Sequence, residues 1–227
     1  MKISIIMPVY NEAKTISRII QKVMAVRLNK ELIIVDDGSN DGTQDFLKVI
    51  KHPNIKVIFH HNNKGKGYAI RTALARVTGN IVIIQDADLE YNPEDYHKLI
   101  KPVLDGKSKV VYGSRFTRKN PYPYHLDKFY LATRILTFLT NLLYSSKITD
   151  ESTCYKVFDA KLLKSIKLEC KRFEFCPEIT AKVLKKKLKI IEVPISYSPR
   201  TPKQGKKINW KDGFQAFWAL IKYRFKD

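Results

Sequence analysis

The sequence predicts a mostly parallel α/β sheet flanked by helices, in a single domain. Apolar, strand-like runs alternate with helical patterns, which is typical of βαβ units. Several of these runs end in acidic residues, and 227 residues with 44% hydrophobic content supply one sizeable core. The predicted strands cover about 2–8, 31–36, 55–60, 79–85, 108–113 and 189–197, and the predicted helices about 12–26, 41–51, 67–76 and 93–105.

The first two predicted strands end in polar side chains. The run 2–8 is followed by Glu12, and the run 31–36 stops at Asp36 and Asp37 before turn residues and a helix-start signal. Ligands of open α/β sheets bind at the carboxyl ends of the strands. These endings therefore favour one shared ligand site over unrelated turns.

Two glycines, Gly65 and Gly67, follow the third predicted strand. A dinucleotide-binding fingerprint has three glycines directly after a strand and an acidic residue further along the chain that binds the ribose. The motif here lacks the third glycine and does not directly follow a strand with such an acid downstream. The sequence therefore disfavours an NAD-dependent enzyme.

The fourth predicted strand carries the most informative pattern, since Asp86 and Asp88 follow it one residue apart. Side chains at i and i+2 of an extended segment share a face, so both carboxylates can converge on one hard divalent cation. The alternative interpretation is a strand capped by an Asx turn.

In order and spacing, the motifs resemble the family 2 glycosyltransferases of GT-A fold, and among them the dolichyl-phosphate mannose synthase-like, polyprenyl-phosphate glycosyltransferase group. The resemblance covers nearly the whole chain. Its motifs are residues 8–12 (PVYNE), 35–39 (VDDGS), 63–67 (NKGKG), 86–88 (DAD), 113–115 (GSR), Asp150, 154–156 (CYK), and 193–197 (VPISY) leading to Arg200.

The resemblance implies residue roles in the binding of a nucleotide-sugar donor and a metal ion. Asp88 is expected to be the first ligand of Mg²⁺ or Mn²⁺, Asp86 to be shared between metal and donor, and Glu90 to be a further ligand or an exposed turn acid. The residues expected to hold the base and ribose are Pro8, Tyr10, Glu12, Val35 and Asp37, and Ala87 is expected to be a further substrate-binding residue.

Cationic residues are expected to contact the phosphates of the donor or the acceptor. The resemblance assigns this role to Arg115, Arg200 and Lys206, and a guanidinium fork suits phosphate oxygens. Arg134 lies inside an apolar helical stretch, where it either reaches the surface or faces a phosphate near the membrane. The loop 198–208 is a candidate lid over the donor sugar.

The acceptor decides the mechanism. A polyprenyl phosphate is already mostly ionised at pH 7 and needs no general base, and its in-line attack inverts the anomeric configuration. A sugar hydroxyl needs a carboxylate to take its proton, and Asp150 is then the leading candidate. Cys154 and Lys156 stand where mannose synthases usually have Gly and Arg, so neither the acceptor nor mannose is fixed. Donors of the GDP-mannose and UDP-glucose types stay open.

The chain is strongly basic, with 42 Lys and Arg against 22 Asp and Glu, a net charge of +20. Such a charge attracts an anionic membrane surface, phosphate-bearing substrates or nucleic acid. Nucleic acid is disfavoured because no recognition element is evident. The segments 126–144 and 210–225 mix apolar and cationic residues, so each either lies at a lipid interface or packs on the core or a second subunit.

The sequence predicts a cytoplasmic protein that binds the membrane face peripherally. Its cysteines, Cys154, Cys170 and Cys176, lack metal-ligand pairing and are expected to be reduced thiols. We expect no signal peptide and no transmembrane anchor, so a separate membrane-anchoring subunit is a candidate partner.

The resemblance thus implies a single GT-A glycosyltransferase domain, with a nucleotide-sugar-binding half at 1–115 and an acceptor-binding half with amphipathic helices at 116–227. Three function classes stay open. They are a metal-dependent transferase to polyprenyl phosphate, a transferase to a glycan or small-molecule hydroxyl, and a noncatalytic basic membrane- or nucleic-acid-binding protein. The third leaves the acidic constellation unexplained.

Overall fold

The structure is a computed structural model and describes residues 1–117, 128–200, 207 and 210–226. Within these residues, seven strands form one sheet: β1 (Ile3–Val9), β2 (Lys30–Asp36), β3 (Ile55–Phe59), β4 (Ile81–Ile84), β5 (Val110–Ser114), β6 (Lys156–Asp159) and β7 (Ile190–Pro194). The helices are α1 (Ile16–Ala25), α2 (Thr43–Lys48), α3 (Lys66–Leu74), α4 (Tyr96–Leu104), α5 (Lys128–Tyr144), α6 (Ala160–Ser165), α7 (Phe175–Lys185) and α8 (Trp210–Phe225), with a 3₁₀ turn at Pro93–Asp95.

The strand order of the sheet is β3-β2-β1-β4-β6-β5-β7. The pairs β1–β2, β1–β4, β2–β3 and β5–β7 are parallel, and β6 runs antiparallel to both of its neighbours. The predicted α/β class with a mostly parallel sheet is therefore confirmed. The chain leaves β1 toward β2 on one side and reaches β4 on the other, which creates a crevice at the carboxyl ends of these strands.

All six predicted strands are present, within a few residues of their predicted bounds. The four predicted helices are present too, although each is shorter than its pattern indicated. Strand β6 and helices α6 and α7 were not predicted. Strand β6 has only four residues, too few for a periodic pattern to distinguish it from a loop.

The core surrounds the centre of the sheet. Strands β1, β2 and β4 are buried along their whole length, as expected for parallel strands that are covered on both faces. The buried carboxylate of Glu31 in β2 accepts hydrogen bonds from Ser4 Oγ at 2.6 Å and from Thr78 N at 2.7 Å. Lys2 and Lys56 each place an ammonium group 3.0 Å from it. This charge is therefore fully compensated.

Three helices of the C-terminal half, α5, α7 and α8, pack on one another. Tyr144 Oη at the end of α5 donates a hydrogen bond to the Leu220 carbonyl of α8 at 2.7 Å. Helices α5 and α8 lie within the two segments, 126–144 and 210–225, in which the sequence mixes apolar and cationic residues. Among the helices that the structure describes, none has both the length and the apolarity to cross a bilayer.

Candidate functional site

The predicted donor-side residues lie at the carboxyl ends of β1, β2 and β4. The register pairs Pro8 of β1 with Val35 of β2, so these two residues lie side by side. Ala87 is 3% exposed and lies between the two aspartates that follow β4. The sheet thus brings together the strand ends that the sequence predicted to share one site.

Arg200 lies at the centre of the acidic residues. Its Nη1 donates to both carboxylate oxygens of Glu12, at 3.0 and 3.2 Å, and its Nη2 donates to Asp88 Oδ2 at 3.0 Å. Its backbone N donates to Glu90 Oε1 at 2.9 Å. One guanidinium therefore neutralises three carboxylates that come from two different parts of the chain.

Lys207 adds a second cation on Glu12, with its Nζ 2.7 Å from Oε1. The same ammonium donates to the backbone carbonyls of Tyr10 and Asn11. The sequence analysis selected Lys206 for the phosphate-binding role, and Lys206 lies outside the described residues. Its neighbour Lys207 reaches the site and was missed.

Asp86 is paired with a cation that the sequence analysis did not select. Lys66 is the first residue of α3, and its Nζ lies 2.6 Å from Asp86 Oδ1. Burial opposes a charge on Lys66, but Asp86, together with Cys154 and Cys176, outweighs burial and raises the pKa of the ammonium group. Lys66 stands between Gly65 and Gly67 in the glycine motif, which was the only signal for it in the sequence.

The three predicted metal ligands do not form one cluster. Of the residues that the structure describes, no group of three His, Cys, Asp or Glu side chains is arranged to hold a metal ion. In this conformation Lys66 holds Asp86, while Arg200 bonds to both Asp88 and Glu90. A joint metal site of Asp86, Asp88 and Glu90 therefore stays a prediction.

The donor set nevertheless suits a hard cation. Burial, followed by repulsion from Asp86 and Glu90, raises the pKa of Asp88 to about 7, although Arg200 opposes this shift. A nearby positive charge stabilises the ionised form of such crowded carboxylates, and Mg²⁺ and Mn²⁺ prefer oxygen ligands. Asp86 and Asp88 therefore fit an ion, provided that the two protein cations move.

Arg115 and Asp150 form a second, buried network. Asp150 is fully buried, and its Oδ2 accepts from Arg115 N at 3.0 Å and Nε at 2.7 Å, while its Oδ1 accepts from Nη2 at 2.7 Å. Glu192 of β7 fixes the same loop by accepting the backbone N–H groups of Thr149 and Asp150, at 2.7 and 3.0 Å. Both oxygens of Asp150 are thus occupied by Arg115.

Tyr197 connects the two networks. Its hydroxyl donates to Glu90 Oε2 at 2.7 Å, and its ring lies 5.0 Å from the guanidinium carbon of Arg115. Arg134 of α5 extends the second network, because its Nη1 donates to the Thr149 carbonyl at 3.2 Å. Arg134 is exposed and also lies over the ring of Phe116, at 5.1 Å. The predicted phosphate-binding arginines are therefore near one another, and no pattern in the sequence indicated the contacts of Tyr197 that link the two networks.

Asp37 bonds to the turn that precedes α3. Its carboxylate accepts the backbone N–H groups of Lys64 and Gly65, the latter at 2.6 Å, and lies 2.7 Å from His60 Nδ1. Gly65 has φ +96°, and a Cβ there would meet the Lys171 carbonyl oxygen at 2.3 Å. Asp37 thus stabilises a turn that requires glycine and leads into Lys66, and its contact with a base or ribose stays a prediction.

Comparison with known proteins gives the family. The family model for glycosyl transferase family 2 matches residues 4–167. The chain is 32% identical to the UDP-N-acetylglucosamine–dolichyl-phosphate N-acetylglucosaminyltransferase of Methanococcus voltae, over 96% of this chain and 94% of the relative. It is 27% identical to the dolichol-phosphate mannosyltransferase of Pyrococcus furiosus, over 91% of this chain and 59% of that protein.

Among solved structures, the chain resembles glucosyl-3-phosphoglycerate synthase from Mycobacterium tuberculosis, which was crystallised with Mn²⁺, UDP and glucosyl-3-phosphoglycerate. The TM-score is 0.75 at 19% identity, over 98% of this chain and 79% of that one, which supports the GT-A fold alone. The predicted resemblance to the dolichyl-phosphate transferases is confirmed. On the evidence of its acidic strand ends, its fold and these matches, the chain belongs to the family 2 glycosyltransferases and is a sugar-transferring enzyme.

Proposed function

We propose that this enzyme transfers a hexose from a nucleotide-diphosphate sugar to a polyprenyl phosphate at a membrane surface, with inversion of the anomeric carbon. The observation that carries the proposal is an exposed apolar stripe on α5 that borders Arg134. The stripe consists of Leu131, Ile135, Phe138 and Leu142, which are 52–69% exposed.

The spacing of the stripe places its members on one face of the helix. Positions i, i+4, i+7 and i+11 fall on one side at about 100° per residue. Arg134 lies about 100° round the helix from Ile135, between the stripe and the packed face that carries the buried Thr137. A lipid phosphate held at the edge of the stripe would thus meet Arg134, whose guanidinium already contacts the loop of Asp150.

Helix α8 repeats this pattern. Phe214, Trp218 and Phe225 are 58–84% exposed and lie on one face, while Lys211 and Arg224 flank them. An aromatic face bordered by cations suits a helix in the plane of an anionic lipid interface. The net charge of +20 adds a long-range attraction to such a surface.

The state of Asp150 favours a phosphate over a hydroxyl acceptor. A hydroxyl acceptor needs a base within hydrogen-bond reach, but Asp150 is fully buried and bonded to Arg115 through both oxygens. An ionised lipid phosphate needs arginines only. Transfer to a glycan or small-molecule hydroxyl would require the Arg115–Asp150 pair to open first.

Asp86 and Asp88 would hold the divalent ion. When bound, such an ion acts as a Lewis acid that neutralises the diphosphate leaving group. Pro8 and Val35, which are paired in the sheet, would lie beside the nucleotide. Lys66 and Arg200, which contact Asp86 and Asp88, would lie near its phosphates.

The test is transfer of radiolabelled sugar from UDP-N-acetylglucosamine, UDP-glucose and GDP-mannose, with Mg²⁺ or Mn²⁺, in the presence or absence of polyprenyl phosphate. Label in an organic-extractable product that mild acid hydrolyses supports the proposal and identifies the donor. Metal-dependent consumption of the donor without any lipid product would favour a hydroxyl acceptor. A protein that binds vesicles but consumes no donor would favour the noncatalytic class.

The membrane contact is tested separately by sedimentation with vesicles of anionic or zwitterionic phospholipid. Ile135→Glu places a charge in the stripe and is expected to weaken binding to the anionic vesicles. Ala132→Glu adds the same charge to an exposed position of α5 outside the stripe and serves as the matched control. An equal loss of vesicle binding in both variants would show that binding depends on the net charge and not on the apolar stripe.

A further inference from the structure

Residues 197–200, which we call the strap, are held against the acidic site by Glu90. The Tyr197 hydroxyl donates to Glu90 Oε2 at 2.7 Å, and Arg200 N donates to Oε1 at 2.9 Å. Ser198 N donates to the backbone carbonyl of the same glutamate at 2.8 Å. Glu90 thus uses both carboxylate oxygens and its backbone on the strap.

The strap holds the guanidinium of Arg200 over Asp88. The Arg200 side chain is 16% exposed and Asp88 is 13% exposed, so the pair is largely shielded from water. Glu12 orients the other edge of the fork through Nη1. A guanidinium fixed by carboxylates on two sides and by its own backbone N–H is well ordered in this position.

A divalent ion and this guanidinium cannot both use Asp88 in the same way. Mg²⁺ needs oxygens at about 2.0–2.1 Å in near-octahedral geometry. The Asp88 Oδ2 atom that would serve it already accepts from Arg200 Nη2 at 3.0 Å. A doubly charged ion would also repel an arginine that stays beside it at this distance.

We propose that Arg200 takes the place of the cation at Asp88 in the donor-free enzyme, that an incoming divalent ion displaces it, and that Glu90 is the positioning residue which anchors its strap. This inference deepens the proposed function, on which it rests for the presence of an ion at Asp88. It reassigns Glu90 from a metal ligand to an anchor. Metal loading is then coupled to release of the strap.

The experiment measures Mn²⁺ binding to the donor-free protein from the electron paramagnetic resonance signal of the free ion. Arg200→Gln removes the competing cation and is expected to bind Mn²⁺ about tenfold more tightly than the natural chain. Tyr197→Phe loosens the strap without a change of charge and is expected to shift affinity in the same direction. Lys101→Gln removes a positive charge from an exposed ion pair on α4 and serves as the control.

Two results would overturn the inference. One is equal Mn²⁺ affinity in the natural chain, Arg200→Gln and Lys101→Gln. The other is a gain in Arg200→Gln that survives addition of Asp88→Asn, since the ion would then bind elsewhere. Sugar transfer by the natural chain is assayed independently, so failure of the exchange at Asp88 is distinguishable from failure of the proposed reaction.

A second measurement uses the natural chain, in case the Arg200 variant does not fold. Competition is reciprocal, so Mn²⁺ that displaces Arg200 must expose the strap. Trypsin cleavage after Arg200, followed by mass spectrometry, is expected to become faster with Mn²⁺, while cleavage after the exposed Lys107 is unchanged. An unchanged rate after Arg200 at saturating Mn²⁺ would contradict the displacement.

Discussion

The Arg115–Asp150 pair provides the sharpest test of the site's architecture. We choose Asp150→Asn because asparagine keeps the shape of the side chain and removes only its charge. Asp150 is fully buried, and the Arg115 side chain is 10% exposed, so the variant leaves an almost water-free guanidinium without its counter-ion. Three hydrogen bonds from Arg115 converge on this carboxylate.

Breaking a buried ion pair from one side costs about 3–5 kcal/mol of unfolding free energy, because the remaining charge is uncompensated. With a urea m-value of about 2–3 kcal/mol/M, this loss corresponds to a fall of about 1–2 M in the urea midpoint. Asp150→Asn combined with Arg115→Met removes both charges. We expect the double variant to recover at least about 1 kcal/mol relative to the sum of the single variants.

The assay is urea unfolding followed by circular dichroism, with Asp105→Asn as the control. Asp105 pairs with Lys101 and Lys107 at the surface, and its replacement is expected to leave the midpoint unchanged. A midpoint for Asp150→Asn that equals the natural one, together with complete loss of transfer, would refute the structural role. Asp150 would then be a general base, and the acceptor a hydroxyl.

Three further predictions concern other charged groups. Asp88→Asn is expected to lower transfer by about 10²–10³-fold with an unchanged circular dichroism spectrum, and near-natural turnover would remove Asp88 from the site. Lys66→Met deprives Asp86 of its cation and is expected to reduce kcat/KM for the donor about tenfold or more, while the exposed Lys64→Met is the control. Burial alone would raise the pKa of Glu31, but its hydrogen bonds and two lysines outweigh burial and hold that pKa well below its usual range. Its stabilising effect is therefore present above about pH 4.5 and lost as the pH falls further, so Tm should drop on acidification less in Glu31→Gln than in the natural chain.

The sequence was sufficient for the features that are local. Apolar runs ending in acids correctly indicated the parallel strands and the crevice at their carboxyl ends, because the acid follows its own strand directly in the chain. Helices α5 and α8 were found for the same reason, since a helical stripe repeats within a few residues.

Long-range partners could not be read from the sequence. Glu90 continues the spacing of Asp86 and Asp88, which favours a metal ligand, yet its oxygens bond to Tyr197 and Arg200, more than 100 residues away. Lys66 meets Asp86 only because α3 begins, and β4 ends, at the same edge of the sheet. No periodicity encodes such a meeting, which depends on how the strands are ordered.

The position of β6 has a consequence for synthesis of the chain. Strands β4 and β5 never pair with each other, and β6, which begins at Lys156, lies between them. As the chain leaves the ribosome, both strands expose unpaired backbone groups until residue 159 has emerged, and such edges are prone to association with other chains. A fragment that stops at residue 115 would keep these edges open permanently, so the strands of the first half depend on the second half of the chain to complete their own sheet.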